Sequence, residues 1–218
     1  MPKRKIQLFV FCTAVFLLVF ALLCFGRAFP SCIKSEPIRV QNTMGLHMDE
    51  ALFYRQTLNN CGPYAVMGVL NVLKNQTHNP ETLAAEMTWR MHKNLTFPQG
   101  VINLLHKYRV NTKEFILKNK SDSEKIDWIK KTLSCGRPIV VLIKVNHIQH
   151  YVTIIGYDEN GLMAYDSLQE KRKDNPRQTV TDNSMYAGNR YYTNEEFLAL
   201  WNKGGYKIFF RNWALVCF

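Results

Sequence analysis

The chain has 218 residues, 47% of them hydrophobic, and a formal net charge of +11 at pH 7. This length allows one well-buried domain with a short extension and argues against a second large domain. The lysines and arginines are spread along the chain and form no arginine-rich arm, so the positive charge does not indicate nucleic-acid recognition. No cluster of cysteines and histidines has metal-ligand spacing, so a metal site is not expected either.

The N-terminus has the pattern of a membrane-targeting segment. Basic residues 3–5 precede an apolar run over residues 6–25 that contains no charged side chain. About 20 apolar residues match the length of a spanning helix and exceed a secretory signal core of roughly 7–15. The pattern favours an uncleaved signal anchor over residues 1–28, with everything after Arg27 outside the cytoplasm. The alternative is a signal peptide cut after Ala28, which would leave the domain secreted.

Residues 29–50 are polar and mixed, which is typical of a tether, with one short strand predicted at residues 38–40. The domain proper is predicted to span residues 51–218. Its central helix is predicted from Cys61 to Lys74, because a proline in the first turn is followed by apolar residues at helical spacing.

Other capping signals predict further helices in the first half of the domain. A cap followed by proline marks one start, a second proline marks another, and a capping box marks a third. These helices are predicted to begin at Asn79-Pro80, at Pro98 and at Ser121, the last ending at Gly136.

In the second half, the hydrophobic pattern changes to that of strands. Strands are predicted over residues 138–145, 150–157 and 162–166, the last two joined by an Asn-Gly hairpin signal at 160–161. Such a hairpin brings the outer ends of its strands together. A long polar segment, residues 167–192, is then predicted as a surface loop or lid.

The C-terminal part is predicted to close the domain. A cap at Thr193 predicts a helix through Trp201. Residues 206–210 and 213–218 are predicted as a closing pair of strands.

Four residues form a candidate site for acyl transfer by a thiol. Cys61 lies at a helix start, where backbone N–H groups and the helix dipole stabilise a thiolate. His150 and Asp166 lie at the outer ends of the predicted hairpin, as a base and its orienting carboxylate require. Gln56, with the Cys61 backbone N–H, is the candidate oxyanion donor. This chemistry needs no cofactor.

Taken singly, these residues have ordinary structural explanations. A cysteine on an apolar helix is usually a packing residue or half of a disulfide, a strand-edge histidine is usually satisfied at the surface, and an aspartate can simply end a strand. Their joint placement favours a site. If Cys61 stays free, at most two of the three other exported cysteines can pair, namely Cys32, Cys135 and Cys217.

The pattern resembles the C39-like group of papain-fold cysteine peptidases over roughly Leu52 to Leu168. The resemblance is carried by a glutamine before Asn60-Cys61-Gly62-Pro63, by His150-Tyr151 leading an apolar strand, and by Tyr165-Asp166. It implies an α+β papain-like fold, in which a helical half carrying the cysteine packs on an antiparallel sheet carrying the histidine and aspartate. It assigns Cys61, His150, Asp166 and Gln56 the roles proposed above.

The chain departs from that family in two ways. Gln56 lies one residue closer to the cysteine than the glutamine of typical papain-like enzymes. The sequence has no transport or nucleotide-binding segment of the kind found in exporter-linked members, so the cleavage of exporter leaders is not implied.

The expected activity is hydrolysis of a peptide or isopeptide bond in an exported, membrane-anchored domain that acts on a peptide or protein substrate. Two alternatives remain open from the sequence. A papain-fold acyltransferase would use the same residues with an amine or thiol as acceptor, and a non-catalytic peptide-binding envelope module would keep the scaffold alone.

Overall fold

The computed structural model describes residues 7, 11–20, 40–169, 173–175, 177–179, 187–206 and 209–218. Residues 11–20 are helical. The rest of that predicted helix, apart from residue 7, and residues 38–39 of the predicted tether strand lie outside the described residues. Within the described ranges, no helix is both long enough and apolar enough to cross a membrane.

Helices and strands both contribute to the domain. The α-helices that follow the tether are α1 (Cys61–Lys74), α2 (Pro80–Glu86), α3 (Pro98–Lys107), α4 (Asp122–Ser134) and α5 (Asn194–Trp201). The strands are β1 (Met44–Gly45), β2 (Thr112–Ile116), β3 (Ile139–Val145), β4 (Ile148–Tyr157), β5 (Gly161–Tyr165), β6 (Arg190–Thr193) and β7 (Trp213–Cys217). Short 3-10 turns lie at Glu50–Leu52 and His92–Asn94.

The strands form one sheet in which every pairing is antiparallel, as predicted. Its order is β2-β7-β3-β4-β5-β6, and β1 pairs with β4. Tight turns connect β3 to β4 and β4 to β5, so these strands are neighbours in the sheet. Asn146 and His147, with φ of 45° and 67°, reverse the chain between β3 and β4. The Asp158 carboxylate accepts the N–H groups of Asn160 and Gly161 at 2.8 Å and closes the turn between β4 and β5.

Helices cover both faces of the sheet. On β3, Val140 and Leu142 join the core beneath α1, whereas Val141 and Ile143 join the core beneath α4 and α5. The predicted packing of the cysteine helix on the sheet is therefore confirmed, and a second helical layer lies behind it. A Cβ at Gly68 would lie 3.0 Å from the Tyr165 ring, so this glycine lets α1 approach β5 closely.

The start signals of the helices are confirmed. Helix α1 has the predicted bounds, Asn79 caps α2, and α4 begins with a complete capping box between Ser121 and Glu124. Gly136, with φ of 73°, follows the end of α4.

The prediction of a strand at residues 206–210 is wrong at residues 206, 209 and 210, and residues 207–208 lie outside the described residues. Tyr206 and Phe209 form only an isolated bridge in a turn. Positive φ values at Gly205 and Phe210 curl the chain there, and β7 already has a neighbour on each side, β2 and β3. The prediction also missed β2, a half-buried strand whose Lys113 and Glu114 weaken its apolar pattern.

Candidate active site

Cys61 is the first residue of α1, the helix that runs through the middle of the larger core. The thiol is free and 6% exposed. Asn60, at the N-cap, makes no side-chain hydrogen bond to the helix. The usual capping interaction is therefore missing at this helix start, and the positive end of the helix dipole lies beside Cys61.

The Asn60 side chain instead ties the loop before Cys61 to its surroundings. Its Nδ2 group donates to the Thr57 hydroxyl at 2.7 Å and to the Glu81 carboxylate at 3.2 Å. Glu81 also accepts hydrogen bonds from the hydroxyls of Thr57 at 2.9 Å and Tyr64 at 2.8 Å. This network fixes the loop whose end positions the thiol.

Arg90 places a positive charge on the other side of Asn60. Its guanidinium donates to Asn60 Oδ1 at 2.5 Å and to the carbonyl oxygens of Ala84 at 3.0 Å and Asn94 at 2.9 Å. Its Nε is buried and has no hydrogen-bond partner in the described part of the chain. Burial lowers the pKa of Arg90, an effect that negative charge on Cys61 and Glu81 opposes, so the guanidinium lies within electrostatic range of the thiol.

His150 and Asp166 form a buried pair. His150 Nε2 lies 2.7 Å from Asp166 Oδ1, and the two residues are 2% and 6% exposed. Cys61 contributes to raising the pKa of His150, so the thiol lies within interaction range of the imidazole ring. Since Asp166 occupies Nε2, the other ring nitrogen, Nδ1, is the one left for the thiol.

Each member of this pair shifts the pKa of the other. Burial alone would lower the pKa of His150, but the Asp166 carboxylate and the interaction with Cys61 raise it to about 10. Burial alone would raise the pKa of Asp166, but His150, the Tyr192 hydroxyl and the Leu168 N–H lower it to about 2. The pair therefore favours a charged imidazolium beside an ionised carboxylate.

Tyr192, Leu168 and Asn189 hold Asp166 in place by hydrogen bonds to its carboxylate and its backbone. Tyr192 donates to Oδ2 at 2.5 Å, and the Leu168 N–H donates to Oδ1 at 2.8 Å. The Asn189 side chain accepts from the Asp166 N–H at 2.8 Å and donates to its carbonyl oxygen at 3.0 Å. A Cβ at Gly188 would lie 2.1 Å from the Ala164 carbonyl oxygen, so only glycine lets the chain pass close enough to place Asn189 there.

The prediction of residues 167–192 as a surface loop or lid is wrong for part of the segment that the structure describes, although Lys173, Asp174 and Arg177 are exposed. Residues 190–192 belong to β6, and Thr179, Asn189 and Tyr192 are buried. The Thr179 hydroxyl donates to the Phe53 carbonyl at 2.7 Å. The segment thus supports both Asp166 and the chain that leads to Gln56, which polar composition alone did not reveal.

Gln56 lies against Ser167, the residue after Asp166. The Gln56 N–H donates to the Ser167 carbonyl oxygen at 2.9 Å, and the Ser167 hydroxyl donates to Gln56 Oε1 at 2.7 Å. The candidate oxyanion donor is thereby joined to the strand end that carries the orienting carboxylate.

One aromatic neighbour of the thiol was missed from the sequence. Burial and negative charge on Cys61 raise the pKa of Tyr206 to about 12, and its ring packs 5.7 Å from that of Phe97. The mistaken strand assignment at residues 206–210 hid it. Within the described residues, no group of three or more His, Cys, Asp or Glu side chains is placed to hold a metal ion.

The structure thus joins His150 to Asp166 by a hydrogen bond, places Cys61 within interaction range of His150, and places Gln56 beside the strand end that carries Asp166. One correction concerns position within the strand: β4 begins at Ile148, so His150 is its third residue and not its first. The β3–β4 turn is shorter than predicted, so β4 extends two residues before His150. Asp166 directly follows β5, as expected from the hairpin.

Comparisons with known proteins identify the family and agree with the fold. Residues 37–202 match the model of the Peptidase_C39 like family. The peptidase domain of Streptococcus ComA, a bifunctional ABC transporter of a quorum-sensing pathway, is 19% identical with a TM-score of 0.50, over 75% of this chain and 95% of that domain. A C39-like peptidase from Bacillus anthracis is 14% identical with a TM-score of 0.50, over 79% of this chain and 96% of the other.

At these identities the two structures show a shared fold. A comparison with curated protein sequences found no match. The family model covers far more than half of the chain, and it includes the second part of the predicted tether, where β1 pairs with β4. The chain therefore belongs to the C39-like peptidase family.

Proposed function

We propose that this chain is a cysteine peptidase that hydrolyses a peptide or isopeptide bond through a thioester intermediate. The observation that supports the proposal is the buried hydrogen-bonded pair of His150 and Asp166, with Cys61, the first residue of α1, within interaction range of the His150 ring. A thiol, an imidazole and a carboxylate in this order supply the nucleophile, the proton carrier and the group that orients it.

In the first half of the reaction, the Cys61 thiolate attacks the carbonyl carbon of the scissile bond. The carbonyl oxygen becomes an oxyanion, which the Cys61 backbone N–H and the Gln56 side-chain amide stabilise. His150 gives its proton to the leaving amine as the carbon–nitrogen bond breaks. The products are a free amine and an acyl group held on Cys61 as a thioester.

In the second half, His150 takes a proton from water, and the resulting hydroxide attacks the thioester carbon. The carbon–sulfur bond breaks, the acid product leaves, and Cys61 returns as the thiolate beside a protonated His150. Asp166 stays ionised throughout, because the groups around it lower the pKa of its carboxyl to about 2.

The proposal includes a membrane anchor over residues 6–25 that leaves the peptidase domain on the extracytoplasmic side. Its support is the long uncharged apolar run that follows the basic residues 3–5. Cell fractionation of the full chain, followed by protease treatment of intact cells or spheroplasts, tests it. A membrane-bound chain whose domain is digested from outside supports the anchor, and a full-length chain in the soluble fraction contradicts it.

Peptide cleavage is tested with the full chain in detergent and a peptide mixture made from a digested proteome. New peptide termini that appear with the parent, are absent with Cys61→Ala and are strongly reduced with Asp166→Asn are the expected result. Equal numbers of new termini with the parent and with Cys61→Ala would rule the peptidase out.

A further inference from the structure

The loop of residues 55–60, which leads to the nucleophile, has a positively charged residue at each end. At one end, the Arg55 N–H donates to the Arg177 carbonyl oxygen. At the other end, the Asn59 side chain donates to the Lys93 carbonyl oxygen at 2.8 Å. These bonds fix the backbones of Arg177 and Lys93, and both residues are exposed. Their charged groups are therefore available to a molecule that approaches the loop from solvent.

The carboxylate that bonds to this loop has its charge satisfied. Glu81 accepts hydrogen bonds from three side chains, and the Arg177 guanidinium lies 3.7 Å from it. Arg90 adds another cation within electrostatic range of the thiol. In the described part of the chain, the residues that bond to the loop thus carry more positive than negative charge.

The other acidic residues of this region are balanced or remote. Residues 173–174 are a lysine and an aspartate, which together add no net charge. Residues 49–50 are acidic, but the Asp49 N–H donates to the Asn71 side chain at 2.9 Å. Asn71 lies three turns along α1 from Cys61, a separation of about 15 Å. Exposed charges farther apart than about 8 Å are largely screened at physiological ionic strength, so these two acids have little effect at the thiol.

A substrate whose scissile bond reaches Cys61 lies against this loop. The two proposed oxyanion donors, the Gln56 side chain and the Cys61 N–H, come from opposite ends of the loop and act on the same carbonyl oxygen. The residues on either side of the scissile bond therefore pass within reach of the long side chains of Lys93 and Arg177. A cleft lined by one sign of charge raises the local concentration of substrates of the opposite sign.

We infer that the substrate is an acidic peptide, with aspartate or glutamate residues beside the bond that is cut, and that Lys93 and Arg177 select it. This inference rests on the proposed function, because it names the substrate class of the same site. The observations that carry it are the two exposed cations fixed at the ends of the loop and the satisfied charge of Glu81.

Two alkylating reagents measure the electrostatic potential at Cys61 without any peptidase activity. With iodoacetamide, which is neutral, or iodoacetate, which is an anion, the thiolate attacks a saturated carbon, a carbon–sulfur bond forms and iodide leaves. The ratio of the two rates at Cys61 is read by peptide mass spectrometry on the full chain in a neutral detergent. A change in the intrinsic reactivity of the thiol affects both rates and cancels in the ratio, whereas a change in local charge does not.

Lys93→Glu is expected to lower the ratio of iodoacetate to iodoacetamide reactivity by roughly three-fold or more, and Arg177→Gln by roughly two-fold. Lys131→Glu is the matched control, because it changes the net charge as Lys93→Glu does, at an exposed position in the last turn of α4. It should keep the parental ratio. An unchanged ratio in Lys93→Glu, or an equal loss in the two lysine variants, would overturn the inference.

Cleavage of a peptide mixture made from a digested proteome tests the substrate class. The new termini made by the parent should be enriched in aspartate and glutamate within about four residues of the cut. For a preferred peptide, Lys93→Glu should lower kcat/KM by roughly five-fold or more, and the effect should be smaller for the same peptide with its acidic residues replaced by asparagine and glutamine.

The outcomes separate this inference from the proposed function. A parent that makes no Cys61-dependent termini contradicts the proposed function and, with it, the substrate class. Cys61-dependent termini without enrichment in acidic residues overturn only the substrate class and leave the peptidase in place. Equal losses for the acidic peptide and its uncharged analogue in Lys93→Glu would likewise overturn the role of Lys93, since they would show an effect that does not depend on substrate charge.

Discussion

The Tyr192 hydroxyl donates a hydrogen bond of 2.5 Å to Asp166 Oδ2, the carboxylate oxygen that His150 does not use. Asp166 thus has a charged partner on one oxygen and a neutral donor on the other. Both help to lower the pKa of its carboxyl to about 2, although burial opposes them. Tyr192 belongs to β6, so a strand far along the chain from Asp166 stabilises the ionised carboxylate.

Tyr192→Phe removes that donor and leaves the ring in place. We expect the free energy of unfolding near neutral pH to fall by about 1 to 2 kcal/mol, because a buried charged acceptor loses a hydrogen bond. We also expect the loss of stability on acidification to begin at a higher pH, because the pKa of Asp166 rises. Urea unfolding at a series of pH values measures both effects.

Tyr191→Phe is the matched control for that variant. Tyr191 is the neighbour of Tyr192 in the chain, and its hydroxyl donates to a different carboxylate, that of Asp158, at 2.8 Å. Its loss should shift the acid transition of the protein less than Tyr192→Phe does, because Asp158 is half-buried and Asp166 is buried. An identical acid shift in both variants would mean that Tyr192 has no special relation to Asp166.

The pair of His150 and Asp166 predicts a pH window of greatest stability. The pKa of His150 is raised from 6.5 to about 10, so its contribution is complete below pH 6.5 and is lost as the pH rises through about 10. The pKa of Asp166 is lowered from 3.8 to about 2, so its contribution is complete above pH 3.8 and is lost as the pH falls through about 2. Both contributions are therefore complete only between pH 3.8 and pH 6.5.

The measurement is the difference in free energy of unfolding between the parent and Asp166→Asn across that range. The difference should be greatest between pH 3.8 and pH 6.5 and should shrink toward either extreme. A difference that does not change with pH would show that Asp166 acts through packing and not through its charge.

Arg90 should tune the thiol electrostatically. Arg90→Gln removes a positive charge that reaches Asn60, the residue directly before Cys61. We expect alkylation of Cys61 at neutral pH to slow by roughly three-fold or more, because the thiolate loses a stabilising charge. Arg90→Lys, which keeps the charge, should recover part of the rate.

The control for Arg90 is Arg109→Gln, which removes an exposed arginine after α3 and should have no effect on Cys61. Equal losses in the two arginine variants would reflect the net charge of the protein alone. Equal rates of Cys61 alkylation in Arg90→Gln and the parent would show that Arg90 does not stabilise the thiolate.

The other thiols of the described domain provide internal standards. Cys135 is exposed and Cys217 is buried, and burial raises the pKa of Cys217. In the native protein we expect Cys135 to react as an ordinary thiol and Cys217 to be protected until the domain unfolds. Peptide-resolved labelling by mass spectrometry, with and without urea, checks both, and rapid native labelling of Cys217 would contradict the fold around β7.

The helix bounds and the hairpin could be predicted from the sequence because their signals are local. The bounds of α1, the cap of α2 and the capping box of α4 depend on residues within a few positions of each other, so the sequence predicted them. The proximity of His150 and Asp166 also came from a local signal, the hairpin between β4 and β5.

Long-range contacts were not predictable in this way. Tyr192 and Asn189 reach Asp166 across more than twenty intervening residues, with |i−j| of 26 and 23. Their surrounding segment is polar, and polar composition suggested a surface loop. Ser167 is likewise separated from Gln56 by 111 positions, so its contact could be known only from the folded chain.

The central claim is that Cys61 and His150 form a thiolate–imidazolium pair. Alkylation of the full chain in detergent, followed across pH at each cysteine by mass spectrometry, tests it in the parent and in His150→Ala. We expect that Cys61 is alkylated at lower pH than the exposed Cys135, and that His150→Ala removes this advantage of Cys61. A Cys61 that is unreactive, disulfide-linked or equally reactive without His150 would contradict it.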